Sequence, residues 1–174
     1  AIPGHDFPTT HPHYYPVKPI RELLIALPQI DQQMSRDGAS MVIVGGGAAG
    51  IELAFAFRTR FGSAACVTLI SKRPFEADAA LSAAAKAIRR VLVDRGITCI
   101  ESQAVVEATE DSVVLSDGRS VAADVICAAT PVHPPDWILD SALPTEQGFL
   151  AVNDFLQVQN QSSLFAAGDI VSLA

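Results

Sequence analysis

Apolar positions along the chain fall into three kinds of run, and each predicts a different element. Short apolar runs, "MVIV" at 41–44 and "CVTLIS" at 66–71, suit strands buried in a parallel sheet, and "ITCIES" at 97–102 a third strand. Between them, residues 48–61 and 78–95 carry helical composition. The second of these places Leu81, Ala85, Ile88, Leu92 and Val93 on one predicted face, and Gly62 and Gly96 stand where the two helices should stop. Strand, helix, strand, helix, strand with short joins predicts a doubly wound α/β sheet with right-handed crossovers. From residue 104 the texture becomes "AVVEATED", "SVVLSDGRSVAA" and "DVICAA", an antiparallel β-meander with a hairpin signal at Asp117-Gly118. Such a meander would cover one face of the sheet.

The two ends differ from this middle. Residues 1–19 hold five prolines and three histidines and predict an extended loop. Ile20, Leu23, Leu24 and Leu27 then recur at helical spacing, with Pro28 expected to break or kink the helix. "SRDGAS" at 35–40 is a turn or linker. After Ala129 come the proline-rich "TPVHPPDW", a short helix candidate "WILDSA", and the strand-like "FLAV" and "SLFAAGDI", for which the sequence offers no evident partner strands.

Composition narrows the classes. With 49% apolar and 18% charged residues, the 174-residue chain is globular, long enough for one domain plus a piece of another. A net charge of −7, with no basic run beyond pairs such as Lys72-Arg73 and Arg89-Arg90, argues against a nucleic-acid partner. No stretch approaches eighteen apolar residues, and no signal pattern opens the chain. The start lacks an initiator Met, as in a processed or excised piece. Cys66, Cys99 and Cys127 are widely spaced, each within an apolar run, so buried thiols of a reduced, cytoplasmic protein are expected. His11-x-His13 has no companion carboxylate or Cys and makes a poor metal site, so no metal is expected. No G-x-S-x-G elbow or H-E-x-x-H occurs, and His133 is expected to be a loop residue.

The chemistry concentrates in "GGGAAG", Gly45, Gly46, Gly47, Ala48, Ala49 and Gly50. Gly45, Gly47 and Gly50 fit G-x-G-x-x-G directly after a buried strand and at the opening of a helix, a Rossmann-like arrangement. The first glycine allows a tight turn, the second close approach to a pyrophosphate, and the third close strand–helix packing. At the end of the second strand, where an acidic residue would grip an NAD ribose, stand Ser71, Lys72 and Arg73. The two cations fit a 2′-phosphate, or else they are solvated loop charges. Glu52 is expected in the first turn of the helix, pointing away from the pyrophosphate toward the other end of the cofactor.

"VIVGGGAAGIELA", "DVICAAT" and "GFLAVNDFLQVQNQSSLFAAGDI" together resemble the pyridine nucleotide-disulfide oxidoreductases. With the lead-in "YYPVKPIRELL", the likeness is to the type-II NADH dehydrogenase-like branch, and within it to flavoproteins linked to selenophosphate synthetase. The resemblance implies an NAD(P)-binding domain at 38–129, inserted in a partial FAD-binding domain made of 1–37 and 130–174. The chain would leave the insert through Ala129-Thr130-Pro131, where Pro131 replaces the family's usual Gly. Gly168 and Asp169 of "FAAGD" would approach FAD at its ribityl chain or phosphate, and Glu52 the nicotinamide end. The family's own FAD-binding G-x-G-x-x-G, its C-terminal interface domain and a redox-active Cys pair do not occur in this sequence.

The function so implied is hydride transfer from NAD(P)H to FAD and on to a quinone or other small acceptor. The fragment alone is expected to be inactive. In the parent, a peripheral place on the inner face of a membrane and a homodimer are compatible with the resemblance. Two rivals stay open: a non-enzymatic nucleotide-binding module, and a small flavoprotein using the glycine loop for FAD. The choice of NADH or NADPH, and the acceptor, also stay open.

Overall fold

Two compact units make up the chain, one formed by His5–Thr130 and the other by Ala1–Gly4 with Pro131–Ala174. The computed structural model describes residues 2–3, 7–77, 82–130, 132–134 and 136–173. The elements run β1 (Ile2–Pro3), β2 (Tyr14–Pro16), α1 (Ile20–Gln33), β3 (Ser40–Val44), α2 (Ala48–Phe61), β4 (Cys66–Ile70), α3 (Ala85–Asp94), β5 (Ile97–Ile100) and β6 (Val105–Ala108). They continue through β7 (Ser112–Leu115), β8 (Ser120–Ala122), β9 (Val125–Ala128), β10 (Val132–His133), α4 (Asp136–Asp140), β11 (Thr145–Glu146), β12 (Phe149–Val152) and β13 (Val171–Leu173).

In the larger unit the most unbroken apolar strands lie at the centre of a parallel sheet ordered β2-β9-β3-β4-β5. Strand alternation then decides what covers each face. Met41 and Ile43 of β3 pack with Leu23 and Ile30 of α1, Ile51, Ala54 and Phe57 of α2, and Leu92 of α3. Val42 and Val44 pack with Val105, Ala108, Val113 and Leu115 of the antiparallel sheet β6-β7-β8. The sheet is therefore not doubly wound by helices: all three lie on one face, and the meander takes the other. Met41, Val42 and Ile43 have no exposed surface, and each buried side chain of this size contributes roughly 1.5–3 kcal/mol.

Several expectations are corrected in this unit. Tyr14–Pro16 is not free loop but the edge strand beside β9, a position where its one proline, Pro16, is tolerated. α1 runs on through Pro28 to Gln33, because Pro28 and Leu24, whose carbonyl loses its donor, are both exposed. α1 also leaves Ile20 and Leu24 largely exposed. α3 begins at Ala85, Ser82–Ala84 being turn; residues 78–81 of the predicted helix lie outside the described residues. Ala85, Ile88 and Leu92 face the core at i, i+3 and i+7, whereas Val93 is turned out to solvent. β9 belongs to the parallel sheet and not to the meander, as its four consecutive buried residues require. Cys66, at the start of β4, is exposed, while Cys99 is half-buried and Cys127 buried.

Polar anchors lock the sheet margins. Asp124, ahead of β9, accepts from the Ser40 N–H at 2.8 Å and the Ser40 hydroxyl at 2.9 Å, and pairs with Arg36. Burial raises its pKa, but these bonds and the Arg36 charge outweigh burial and hold it below the usual range. Arg58 of α2 donates to the carbonyls of Gly62 (2.8 Å) and Ala65 (2.7 Å) and to that of Gly96, tying two helix ends together.

In the smaller unit β12 does have partners: β11 on one side, antiparallel, and β13 on the other, parallel. The β11–β12 hairpin turns on Gln147 and Gly148, both with positive φ (52° and 86°). A side chain at Gly148 would come within 2.8 Å of Pro134, so glycine is required there. "SLFAAGDI" is not a strand; Phe165 makes an isolated bridge to Gln157, Gly168 turns the chain at φ 80°, and β13 begins at Val171. Ile138, Leu150, Val152 and Val158 are buried here. His133 lies in the short β1–β10 ladder.

Candidate functional site

The turn after β3 is shaped by what surrounds it. Gly45 donates to the Ile70 carbonyl at 2.9 Å and has φ 122°; a Cβ there would fall 2.3 Å from the Ala129 oxygen. Ala129 in turn donates to Val44 at 2.8 Å, so the end of β9 is pressed against the turn. A Cβ at Gly50 would lie 1.8 Å from the Gly45 oxygen, and one at Gly46 would lie 2.1 Å from Ser71 Oγ. Real Cβ atoms cannot make such contacts. The chain therefore needs glycine at 45, 46 and 50 for its own packing.

Gly47 differs. A Cβ there would meet no protein atom within 4 Å. Gly47 is the N-cap of α2, its carbonyl accepts from Ile51 at 3.1 Å, and no side chain caps the helix start. Ala48 and Ala49 are exposed, and the first turn carries no acidic residue. The N–H groups of this turn and its dipole thus face open space with a positive potential. A pyrophosphate fits this cradle, since it would supply the acceptors the helix end lacks.

The β4 end lies against the same turn. Ser71 is buried; its N–H donates to Ile100 (2.8 Å), its carbonyl accepts from Gln103 (3.1 Å), and its hydroxyl donates to the Arg73 carbonyl (2.6 Å). The Lys72 and Arg73 side chains are exposed and make no ion pair among the described residues. Thr130, whose backbone N lies 3.3 Å from where a Gly45 Cβ would stand, joins Ala129 beside the loop. The structure thus gathers Gly45, Gly46, Gly47, Ala48, Ala49, Gly50, Ser71, Ala129 and Thr130 around one turn. Glu52 is exposed and is the fifth residue of α2, so at about 3.6 residues per turn it stands in the second turn and not in the first as expected. Gly168 and Asp169 belong to the other unit, both exposed.

An adjoining network had no signature in the sequence. Arg89 of α3 pairs with Glu101 after β5 and with Glu76 after β4, and its guanidinium carbon lies 5.5 Å from the centre of the Phe75 ring. Glu101 also accepts from the Phe75 N–H at 2.7 Å. The Arg89 hydrogen bond draws the Glu76 carboxyl down to about 2 and holds Glu101 below its ordinary value. Twelve or thirteen residues separate the partners, so no local spacing announces them.

The remaining candidates are engaged otherwise. His11 donates from Nε2 to the Ala123 carbonyl (2.9 Å) and accepts at Nδ1 from the His13 N–H (3.1 Å), so neither ring nitrogen is left for a metal. Burial pushes the Cys127 thiol up to about 12, and burial with the Glu101 charge pushes Cys99 up to about 11. Neither is a thiolate near neutral pH.

With the geometry established, comparison with known proteins gives the lineage. A family model described as pyridine nucleotide-disulphide oxidoreductase matches residues 20–173. The chain belongs to that family. Its members are FAD-dependent NAD(P)H oxidoreductases, and the relatives include the NADH dehydrogenase-like side of the family. The chain is 31% identical over 143 residues to ferroptosis suppressor protein 1 of Xenopus tropicalis, covering 74% of this chain and 38% of that protein. It is 30% identical over 147 residues to an NADH dehydrogenase-like protein of Mycobacterium tuberculosis, covering 77% and 36%. The fold matches NDH2 from Plasmodium falciparum, solved in complex with NADH, at a TM-score of 0.76 and 13% identity, over 99% of this chain and 42% of that one. The chain thus spans well under half the length of these relatives.

Proposed function

We propose that residues 45–50 hold the pyrophosphate of NAD(P)H, and that the chain is the nicotinamide-nucleotide part of a flavoprotein oxidoreductase. The observation that carries this is the contrast within the glycine loop. Gly45, Gly46 and Gly50 are filled by neighbouring protein, whereas Gly47 opens onto space at a helix start lacking any cap of its own. When bound, the nicotinamide supplies a hydride, which the family's flavin accepts. The chain's residues bind and orient: the α2 N–H groups receive the pyrophosphate, Ala129 and Thr130 wall the turn, and Lys72 and Arg73 offer positive charge on the ribose side.

On this reading the nucleotide domain is 38–129, and 1–37 with 130–174 are parts of an FAD domain, in which Gly168 and Asp169 approach the flavin nucleotide. The electrons pass to a quinone or another small acceptor. Glu52, on the exposed face of α2, lies toward the nicotinamide. The test is titration of the purified chain with NADH, NADPH and FAD separately, read by calorimetry. Binding of a nicotinamide nucleotide without FAD is expected. Tight FAD binding with no nicotinamide binding would reassign the glycine loop.

A further inference from the structure

The loop from Ser71 to Ala77 is held at three points. The Ser71 hydroxyl donates to the Arg73 carbonyl at 2.6 Å, which bends the chain at Lys72-Arg73, directly after the residue packed against Gly46. Phe75 is buried beneath that turn, 3.2 Å from where a Gly46 Cβ would stand, and its N–H donates to Glu101 at 2.7 Å. Glu76, in the 3-10 turn Phe75–Ala77, is bound by both terminal nitrogens of Arg89. Arg89 spans all of this, pairing with both carboxylates and covering the Phe75 ring.

One consequence is electrostatic. Glu76 lies within the loop and Glu101 is hydrogen-bonded to its Phe75 N–H, and the loop's own two cations make no ion pair among the described residues. With Arg89 present, both carboxylates are engaged by its guanidinium and the trio carries one net negative charge, while Lys72 and Arg73 are exposed and stand outside it. Without it, two free carboxylates would flank the loop and compete for those cations.

Resting on the nucleotide assignment above, we infer that Arg89 is a specificity-positioning residue: by sequestering Glu76 and Glu101 it reserves Lys72 and Arg73 for a nucleotide 2′-phosphate. It does not touch the nucleotide; it acts through the loop. The expected preference is for ligands carrying that phosphate over those with a free 2′-hydroxyl.

The experiment measures affinities of the chain for 2′,5′-ADP and 5′-AMP, in wild type, Arg89→Ala, and Arg89→Ala with Glu76→Gln. Wild type should prefer 2′,5′-ADP. Arg89→Ala should weaken 2′,5′-ADP by about tenfold and 5′-AMP by less than about threefold, the scale of one restored charge contact near the surface. Adding Glu76→Gln removes one freed carboxylate and should recover part of the preference, which a purely structural loss of the loop would not do. Equal weakening of both ligands, no change, no recovery in the double variant, or a wild type that prefers 5′-AMP each overturns the inference while leaving a nucleotide site in place. A wild type that binds neither ligand overturns the nucleotide assignment and this inference with it. Should Arg89→Ala fail to fold, Arg89→Lys keeps the charge but not the fork. It should show the same selective loss in weaker form, and parallel loss of both ligands would refute the inference.

Discussion

The glycine turn at 45–50 and the "FAAGD" turn at 165–169 are both short, glycine-bearing bends, yet they stand in opposite relation to their surroundings. Around the first, every approach but one is filled: Ala129, Ser71 and the turn's own Gly45 carbonyl occupy the places of three absent Cβ atoms. Around the second, a Cβ on Gly168 would meet nothing within 4 Å, and Phe165 is 61% exposed. A loop enclosed by its own unit has its shape dictated by packing. The open turn is held by backbone bonds, among them the Phe165–Gln157 bridge and the Ala166 N–H to the Leu156 carbonyl at 2.9 Å, which do not require particular side chains. The first turn should therefore tolerate almost no substitution, and the second should respond weakly.

The largest effect is expected at Gly50. Gly50→Val places carbon within 1.8 Å of the Gly45 oxygen, and α2 or β3 must shift to admit it. Overpacking of this kind costs about 3 kcal/mol. The same shift should abolish nicotinamide-nucleotide binding, which calorimetry would detect alongside a lowered chemical-denaturation midpoint. Unaltered binding in a folded Gly50→Val chain would sever the glycine packing from the site. Ile43→Ala, in the β3 centre between β9 and β4, should cost a similar 2–5 kcal/mol with a milder effect on affinity, because it removes core contacts and leaves the turn geometry alone.

How far the two regions were legible in the sequence follows the same division. β3, α2 and β4 were readable because unbroken apolar runs and a G-x-G-x-x-G leave few alternatives for a strand, turn and helix. The boundary of α2 at Ala48–Phe61 was readable as well, since Gly47 and Gly62 bracket it. Partnering over distance was not. Nothing in "YYP" announces that it pairs with "VICA" more than a hundred residues later, and a parallel ladder has no hairpin turn to advertise it. The same holds for β13 against β12, and for Arg89 with Glu76 and Glu101. The helices' shared face was missed because a helix's periodicity states that it has an apolar side, not which face of the sheet receives it. The site residues 45–50 and 129–130 were named from motif and come together. Gly168 and Asp169 rest on the family motif.

Acid titration sharpens the comparison from the side of charge. Glu76 titrates near 2, and Glu101 also below its ordinary value, because Arg89 holds both ionised. A carboxyl with a depressed folded-state pKa contributes its stability above the unfolded value of 4.5, and loses it as pH falls toward the folded value. Thermal stability should therefore decline between about pH 4.5 and 2. Arg89→Ala should flatten that decline. A variant whose pH profile matches wild type would show that the three side chains do not pair in solution. Both carboxyls lie in exposed or partly exposed positions, so the slope should be modest and should shrink further at high salt.

The smallest effects belong to the open turn. Gly168 holds φ 80°, a left-handed conformation that an L side chain adopts at a cost of roughly 1 kcal/mol. With no atom within 4 Å for the added Cβ to strike, Gly168→Ala should lose about that amount and no more in chemical denaturation. Phe165→Ser goes further down the scale. The ring is largely exposed, and the Phe165 bridge to Gln157 is made by the backbone, which serine can also make. Its stability should stay within about 0.5 kcal/mol of wild type, the range of surface substitutions. A loss of several kcal/mol would mean that the ring is covered in solution, and the contrast between the enclosed and the open turn would collapse. If the loss is small, the apolar ring at position 165 owes its presence to something other than the stability of this chain.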